Sequence, residues 1–438
     1  MGVAWFVLSA RVLDERQFGT IGAALAIVVV VGALSDLGAT RTLVRHITLD
    51  HRVLWPAYRR AVVQRLAVGA LLGALTVGLL SVSDVDVTTT AVALAAGIAL
   101  ASGVSELAFA ALRAVGLVRT EMALLVGERA AFAVVAGAIV LAGGGAVPVL
   151  AVYLATNMLS ASLGFARVVR LRAGSAVVAP PLLDREGRRT AAASTLVTLG
   201  PRISTLVLIV IASPAAVGTL TIAQKAPEAV AVFAAAVLAP VLAMVRPDVL
   251  VGDRARAARR SVEVLGALLF VLGPVLVWMT LRPDDVLGLV FDAASRDGAS
   301  ATAAACAITA FLLLGRTVGE QLLLADDRAG AYVVALAAGG LVTLAAAIAL
   351  VPDHGATGAA LAALAGEAVA VVLVIARLDR FRASGARRSL LSPVALTVAV
   401  AATLVLLPGE ARVVAMAIVA VASIVGAVRA RDVLHARL

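Results

Sequence analysis

The chain has 438 residues, 62% of them hydrophobic, with a mean hydropathy of +1.05. A single water-soluble core cannot hide that much apolar surface. The formal charge is +10, and every basic residue is arginine except Lys225. The arginines fall in short loops between apolar runs, and aromatic residues make up only 4% of the chain, so no basic arm interleaved with aromatics is present and nucleic acid is excluded as a partner. Cys306 is the only cysteine, which excludes an intramolecular disulfide and a cysteine metal site. His46, His51, His354 and His435 are scattered, so no metal site and no cofactor is expected. The preference for arginine over lysine points to a GC-rich genome and a bacterial source.

The apolar runs are about 20 residues long, the length that crosses a bilayer as a helix. In lipid every backbone polar group must be paired within the chain, so such runs become helices. In order they are Met1–Leu13, Ile21–Ser35, Val62–Val82, Thr89–Leu112, Met122–Leu141, Val147–Ala166, Ala191–Ala212, Ala215–Met244, Val262–Leu281, Ala301–Leu324, Gly330–Val351, Ala356–Ala376, Leu390–Leu407 and Arg412–Val428. The expected fold is therefore an all-α polytopic membrane protein of about fourteen transmembrane helices. The first run is the exception. It reaches about 20 Å as a helix, short of the roughly 30 Å hydrocarbon core. Met1–Leu13 also lacks the features of a cleavable signal peptide. The native chain is expected to begin upstream of Met1.

Loop charge alternates without a break. Arg41, Arg45, Arg52, Arg59 and Arg60 precede the third span, and Arg113 and Arg119 precede the fifth. Arg170, Arg185, Arg254, Arg256, Arg377 and Arg387 mark later loops on the same side. The intervening loops carry Asp84, Asp86, Asp284, Asp285, Asp292, Asp297 and Asp353, or no charge. Positive loops stay inside, so both termini are expected in the cytoplasm.

An internal repeat is present. Leu13–Ile21 aligns with Ala212–Leu220: a span end, a short turn, Gly-Thr, and a new span. Ala146–Arg170 aligns with Ala356–Arg380 and sets Asn157 opposite Glu367. Six spans per repeat keep the two halves in one orientation. The expected architecture is two six-helix lobes related by a pseudo-two-fold along the membrane normal, with a cavity between them. The boundaries are 1–173, a cytoplasmic linker over 174–190, 191–380, and two further helices with a short tail over 381–438. No segment outside the spans exceeds about 25 residues. That leaves no room for a soluble catalytic or nucleotide-binding domain, and an enzyme is not expected.

Certain motifs carry a family resemblance. They are Leu8-Ser9-Ala10-Arg11-Val12-Leu13 with Gln17-Phe18-Gly19, then Ser35-Asp36-Leu37-Gly38. Next come Ala215-Ala216-Val217-Gly218 with Ala223-Gln224-Lys225 and Glu228, and Leu350-Val351-Pro352-Asp353-His354-Gly355-Ala356. In this order the chain resembles the bacterial polysaccharide flippases of the multidrug/oligosaccharidyl-lipid/polysaccharide (MOP) exporter superfamily. The resemblance implies alternating access and export of a polyprenyl-diphosphate-linked oligosaccharide across the bacterial cytoplasmic membrane. Membrane lipids, and a glycan polymerase with glycosyltransferases, are the partners it implies. A lipid II flippase and a multidrug extruder of the same superfamily are alternatives. A membrane polymerase or glycosyltransferase is the rival from another class. The family often places an acidic residue in the seventh span, where this chain has Arg202-Ile203-Ser204-Thr205.

Charges inside spans are costly and mark cavities or partners. Arg129, Arg202, Lys225 and Arg316 are the candidate substrate-binding cations, because arginine presents a planar fork matched to phosphate oxygens. Glu228, Glu320 and Glu367 are the candidate ion-coupling carboxylates. The bland alternative is that these groups are structural pairs, with Glu128 or Glu228 neutralising a nearby cation. Pro201 and Pro227 are expected to bend their helices beside Arg202 and Lys225.

Overall fold

The computed structural model describes residues 3–82, 88–171, 185–291 and 299–378. The two expected spans Leu390–Leu407 and Arg412–Val428, residues 174–184 of the linker, and the acidic residues Asp84, Asp86, Asp292 and Asp297 lie outside them. All regular structure among the described residues is helical, and helix covers each of the first twelve expected spans. The chain is a multi-pass membrane protein. It forms two compact units, Met1–Thr219 and Leu220–Leu438.

The first unit contains α1 (Val3–Val12), α2 (Glu15–Asp36), α3 (Ala39–Leu49), α4 (Leu54–Val82), α5 (Thr89–Ala114), α6 (Val118–Leu141), α7 (Ala146–Arg170) and α8 (Arg185–Ile211). Helix α5 is central and packs on α2, α3, α4 and α7. Its alanines and glycines allow that close packing, since small side chains let helix axes approach. At one end Leu43, Ile47, Leu54, Tyr58, Leu107 and Leu112 form a fully or nearly fully buried cluster.

Helix α3 is a correction to the sequence reading, which left its arginines in a loop. It buries Thr42, Leu43 and Ile47 and exposes Arg41 and Arg45, so it is amphipathic rather than spanning. Its start explains the Ser35-Asp36-Leu37-Gly38 motif. Leu37 and Gly38 take positive φ, of 43° and 76°, which ends α2. The Asp36 carboxylate then accepts from the Gly38 and Thr40 backbone N–H groups at 3.1 and 3.2 Å and from the Thr40 hydroxyl at 2.5 Å. One side chain thus satisfies donors that a helix start leaves open.

The repeat is visible in the turns. Asp14 caps α2 by accepting from the Gln17 N–H at 2.7 Å. Its equivalent Ser213 accepts from the Ala216 N–H at 3.4 Å and starts α9 (Pro214–Ala223). The two Gly-Thr motifs pack reciprocally. A Cβ on Gly19 would lie 1.7 Å from the Pro214 carbonyl oxygen. A Cβ on Gly218 would lie 3.2 Å from the Glu15 carbonyl oxygen. Glu15 and Pro214 are themselves equivalent positions of the sequence repeat.

The second unit contains α10 (Lys225–Leu250), α11 (Arg254–Leu281), α12 (Pro283–Phe291), α13 (Ala299–Ala325) and α14 (Ala329–Ala376). Helix α13 packs on α10, α11 and α14 around Val241, Val245, Leu268, Leu276, Leu314 and Leu322. Three details differ from the sequence reading. The expected span Ala215–Met244 is interrupted at Gln224, and Pro227 sits in the first turn of α10, where a missing N–H is tolerated. Helix α8 runs unbroken through Pro201. The short helix α12 lies where an outer loop was expected. Helix α14 holds 48 residues but turns at Gly355 (φ 49°, ψ −125°), just after Pro352, and so supplies two spans.

Candidate functional site

The structure brings several charged residues together within each unit. In the second unit Arg316 of α13 is 3% exposed. Its Nε donates to Glu367 Oε1 of α14 at 2.5 Å, and its guanidinium also donates to the Tyr332 hydroxyl. The Tyr332 hydroxyl in turn donates to Glu320 Oε2 at 2.7 Å. One cation therefore organises two carboxylates, one directly and one through a phenol. The position of Glu367 follows from its neighbour. A Cβ on Gly366 would lie 1.9 Å from the Thr343 hydroxyl oxygen and 2.5 Å from the Gly339 carbonyl oxygen. That bare glycine lets the two halves of α14 approach closely enough for Glu367 to reach Arg316.

Lys225 and Glu228 form the other pair. Nζ donates to Oε2 at 2.6 Å across one turn, and the side chains are 28% and 33% exposed. Residues three apart share a helix face, which makes this local bond possible. In the first unit Arg129 is 42% exposed and stands 3.8 Å from Glu128. The Glu128 carboxylate is buried, and its second oxygen has no hydrogen-bond partner among the described residues. Arg202 is half-buried on α8. Two residues along, Ser204 is fully buried with its hydroxyl unpartnered among the described residues.

Sequence reasoning missed one network. Arg65 of α4, 4% exposed, donates to Asp36 at 2.9 Å and to Glu106 of α5 at 2.6 Å. It also donates to the Thr40 hydroxyl at 3.2 Å. Gly103 supplies the space, since a Cβ there would lie 2.5 Å from Arg65 Nε. The available signal was Gln64-Arg65 inside an apolar run, with Glu106 inside the next. His, Cys, Asp and Glu residues form no group suited to a metal among the described residues.

With this geometry in hand, solved structures supply the comparison. The chain matches the lipid II flippase MurJ in an inward closed conformation with a TM-score of 0.63 and 11% identity, covering 99% of this chain and 96% of that one. It matches an inward-facing multidrug resistance MATE family transporter of the MOP superfamily with a TM-score of 0.61 and 14% identity, covering 91% and 94%. The fold is that of the MOP-superfamily transporters. A eukaryotic MATE transporter, AtDTX14, agrees with a TM-score of 0.52 and 15% identity over 86% and 88% of the two chains. No family model matches the chain, and no curated protein matches it in sequence. This is the fold that the resemblance implies.

Proposed function

We propose that this protein is a secondary transporter of the polysaccharide flippase type, moving a polyprenyl-diphosphate-linked oligosaccharide across a bacterial cytoplasmic membrane by alternating access. The observation that carries the reading is the set of cations held within apolar helices of a MOP fold. Arg129 and Lys225 keep 42% and 28% of their side chains exposed, while Arg202 is half-buried. Cations that retain access at such depth suit an anionic diphosphate and repel the organic cations a multidrug extruder would carry. Arg316 joins this set in conformations where Glu367 and Tyr332 release it.

The working lobes are 1–173 and 191–380, joined by the 174–190 linker, with both termini in the cytoplasm. Glu228, Glu320 and Glu367 couple transport to a proton or sodium gradient. Glycosyltransferases make the cargo and a polymerase consumes it. Lipid II transport is the second reading, supported by the fold match to MurJ over 99% of the chain. The two cargoes share the diphosphate and differ in the glycan.

The test is flipping of a fluorescent polyprenyl-diphosphate oligosaccharide in proteoliposomes, with lipid II run in parallel. An Arg202→Gln, Lys225→Gln double variant is expected to reach the membrane at normal abundance and to lose most flipping of the preferred cargo. Full activity in that variant eliminates the cationic path. Transport that ignores ion gradients and membrane potential eliminates the coupling roles.

A further inference from the structure

Helix α4 has 29 residues, about 43 Å at 1.5 Å per residue, well beyond a roughly 30 Å hydrocarbon core. Its exposed face shows where the core begins. Val63, Leu66, Leu71, Leu75 and Leu79 are all exposed on it. An apolar stripe of that length on a helix surface marks contact with lipid tails. Arg59 and Arg60 are exposed one turn before the stripe starts. They therefore sit at the depth of the lipid headgroups.

Neighbouring elements extend the charge. Arg41 projects from the outer face of α3, whose inner face is buried against the protein, and Arg52 is exposed in the turn between α3 and α4. Arg167 and Arg170 are exposed on the last turn of α7. That turn is tied to the start of α4 through Phe165, whose ring lies 6.0 Å from both Trp55 and Tyr58. No carboxylate is within ion-pairing distance of these six arginines among the described residues. Asp50 is the nearby acid, and it accepts from the Arg52 backbone N–H at 2.9 Å. Tryptophan beside arginine at the edge of an apolar stripe is the composition of a membrane interface.

We infer that this patch is a binding surface for anionic phospholipid headgroups, distinct from the transported cargo. Juxtamembrane arginines each contribute about 1 kcal/mol toward an anionic lipid surface, close to fivefold in affinity, and salt screens the effect. A zwitterionic headgroup with no net charge gains little. The occupant is therefore phosphatidylglycerol or a lipid of like charge, held against the arginines of the α3–α4 turn and the end of α7.

Trp55 provides the reporter. The full chain with Trp5→Phe and Trp278→Phe retains Trp55 alone. It is reconstituted into phosphatidylcholine vesicles containing increasing dibrominated phosphatidylglycerol, or dibrominated phosphatidylcholine as the reference. Bromine quenches tryptophan at contact, so the two curves give the relative association of each headgroup. The expected result is at least a tenfold preference for phosphatidylglycerol at low salt, falling toward unity in 0.5 M salt. Arg41→Gln, Arg52→Gln, Arg59→Gln and Arg60→Gln together should abolish the preference, and the same four positions as lysine should keep most of it. If the glutamine variant does not assemble, Arg167→Gln with Arg170→Gln should halve the preference or more. Equal quenching by the two lipids in the starting protein overturns the proposal, as does a preference that survives neutralisation. Neither readout involves cargo, so failure here leaves the transport proposal standing.

Discussion

Gly19 offers a sharp test of the reciprocal contact between the two Gly-Thr motifs. Gly19→Ala would place its Cβ 1.7 Å from the Pro214 carbonyl oxygen. An ordinary carbon–oxygen contact needs roughly 3.2 Å or more, so one helix must move by about 1.5 Å. The obstructing atom belongs to backbone, and no side chain can rotate to relieve it. Overpacking of this kind costs about 1–3 kcal/mol, while replacing a helical glycine by alanine returns about 1 kcal/mol. The first unit holds residues 1 to 219. For domains of about that size each kcal/mol moves Tm by roughly 2–4 °C. Gly19→Ala should therefore lower the apparent Tm by several degrees in detergent, read by tryptophan fluorescence. Gly32 in the same helix has open space at its Cβ position, and Gly32→Ala should hold Tm or raise it slightly. Gly218→Ala meets Glu15 at 3.2 Å and should fall between the two. A Gly19→Ala protein that melts with Gly32→Ala would refute the close crossing.

Three further outcomes can be measured, two from the structure and one from loop charge. Arg65→Gln strands Asp36 and Glu106 without their cation and should cost about 3–5 kcal/mol, seen as low abundance, with partial recovery when Glu106→Gln is added. Gly355→Ala forces a side chain into a positive-φ turn and should cost about 1–3 kcal/mol, whereas Gly330→Ala, with open space at its Cβ position, should not lower Tm. Reporter fusions after Arg52, Arg256 and Arg387 should read as cytoplasmic, and fusions after Asp86, Asp285 and Asp353 as external; a swap at any one of them would overturn the topology beyond that point.

The helices under the first twelve expected spans were legible because burial in lipid demands long apolar runs, and eight described helices are long and apolar enough to cross a membrane. Helix α3 was not, because its buried apolar residues are few, Ala39, Leu43 and Ile47, while its arginines look like any charged loop. The break at Gln224 was also hidden, since no breaker stands there and the nearest proline is Pro227. Arg65 escaped notice for a geometric reason. The span was taken to start at Val62, which places Arg65 at the rim. Arg65 is nonetheless buried, because Asp36 of α2 and Glu106 of α5 close on it, and that packing leaves no mark in the sequence of α4. Lys225 with Glu228 and Arg316 with Glu367 were recognisable as charges in spans. Their pairing partners were not all foreseen, because Arg316 and Glu367 stand 51 residues apart. Tyr332, which links Arg316 to Glu320, carries no charge and gave no signal.

The two units carry different charge networks. The aligned stretch pairs Asn157 of α7 with Glu367 of α14. Arg316 is buried, and a buried charge requires a partner of opposite sign. In the second unit Glu367 on α14 answers Arg316. In the first unit its equivalent Asn157 is buried and donates to the Tyr153 carbonyl of its own helix at 2.8 Å, so it needs no countercharge. Glu106 instead takes its cation from α4, through Arg65. The second unit is left with Glu320 and Glu367 close to a single buried arginine. The first unit has Asp36, whose carboxylate also caps α3, and Glu106, whose side chain is 58% exposed. Only in the second unit are both carboxylates free of a capping role and sheltered from solvent, with Glu367 14% exposed and Glu320 half-buried. That difference is the physical reason for seeking ion coupling there first.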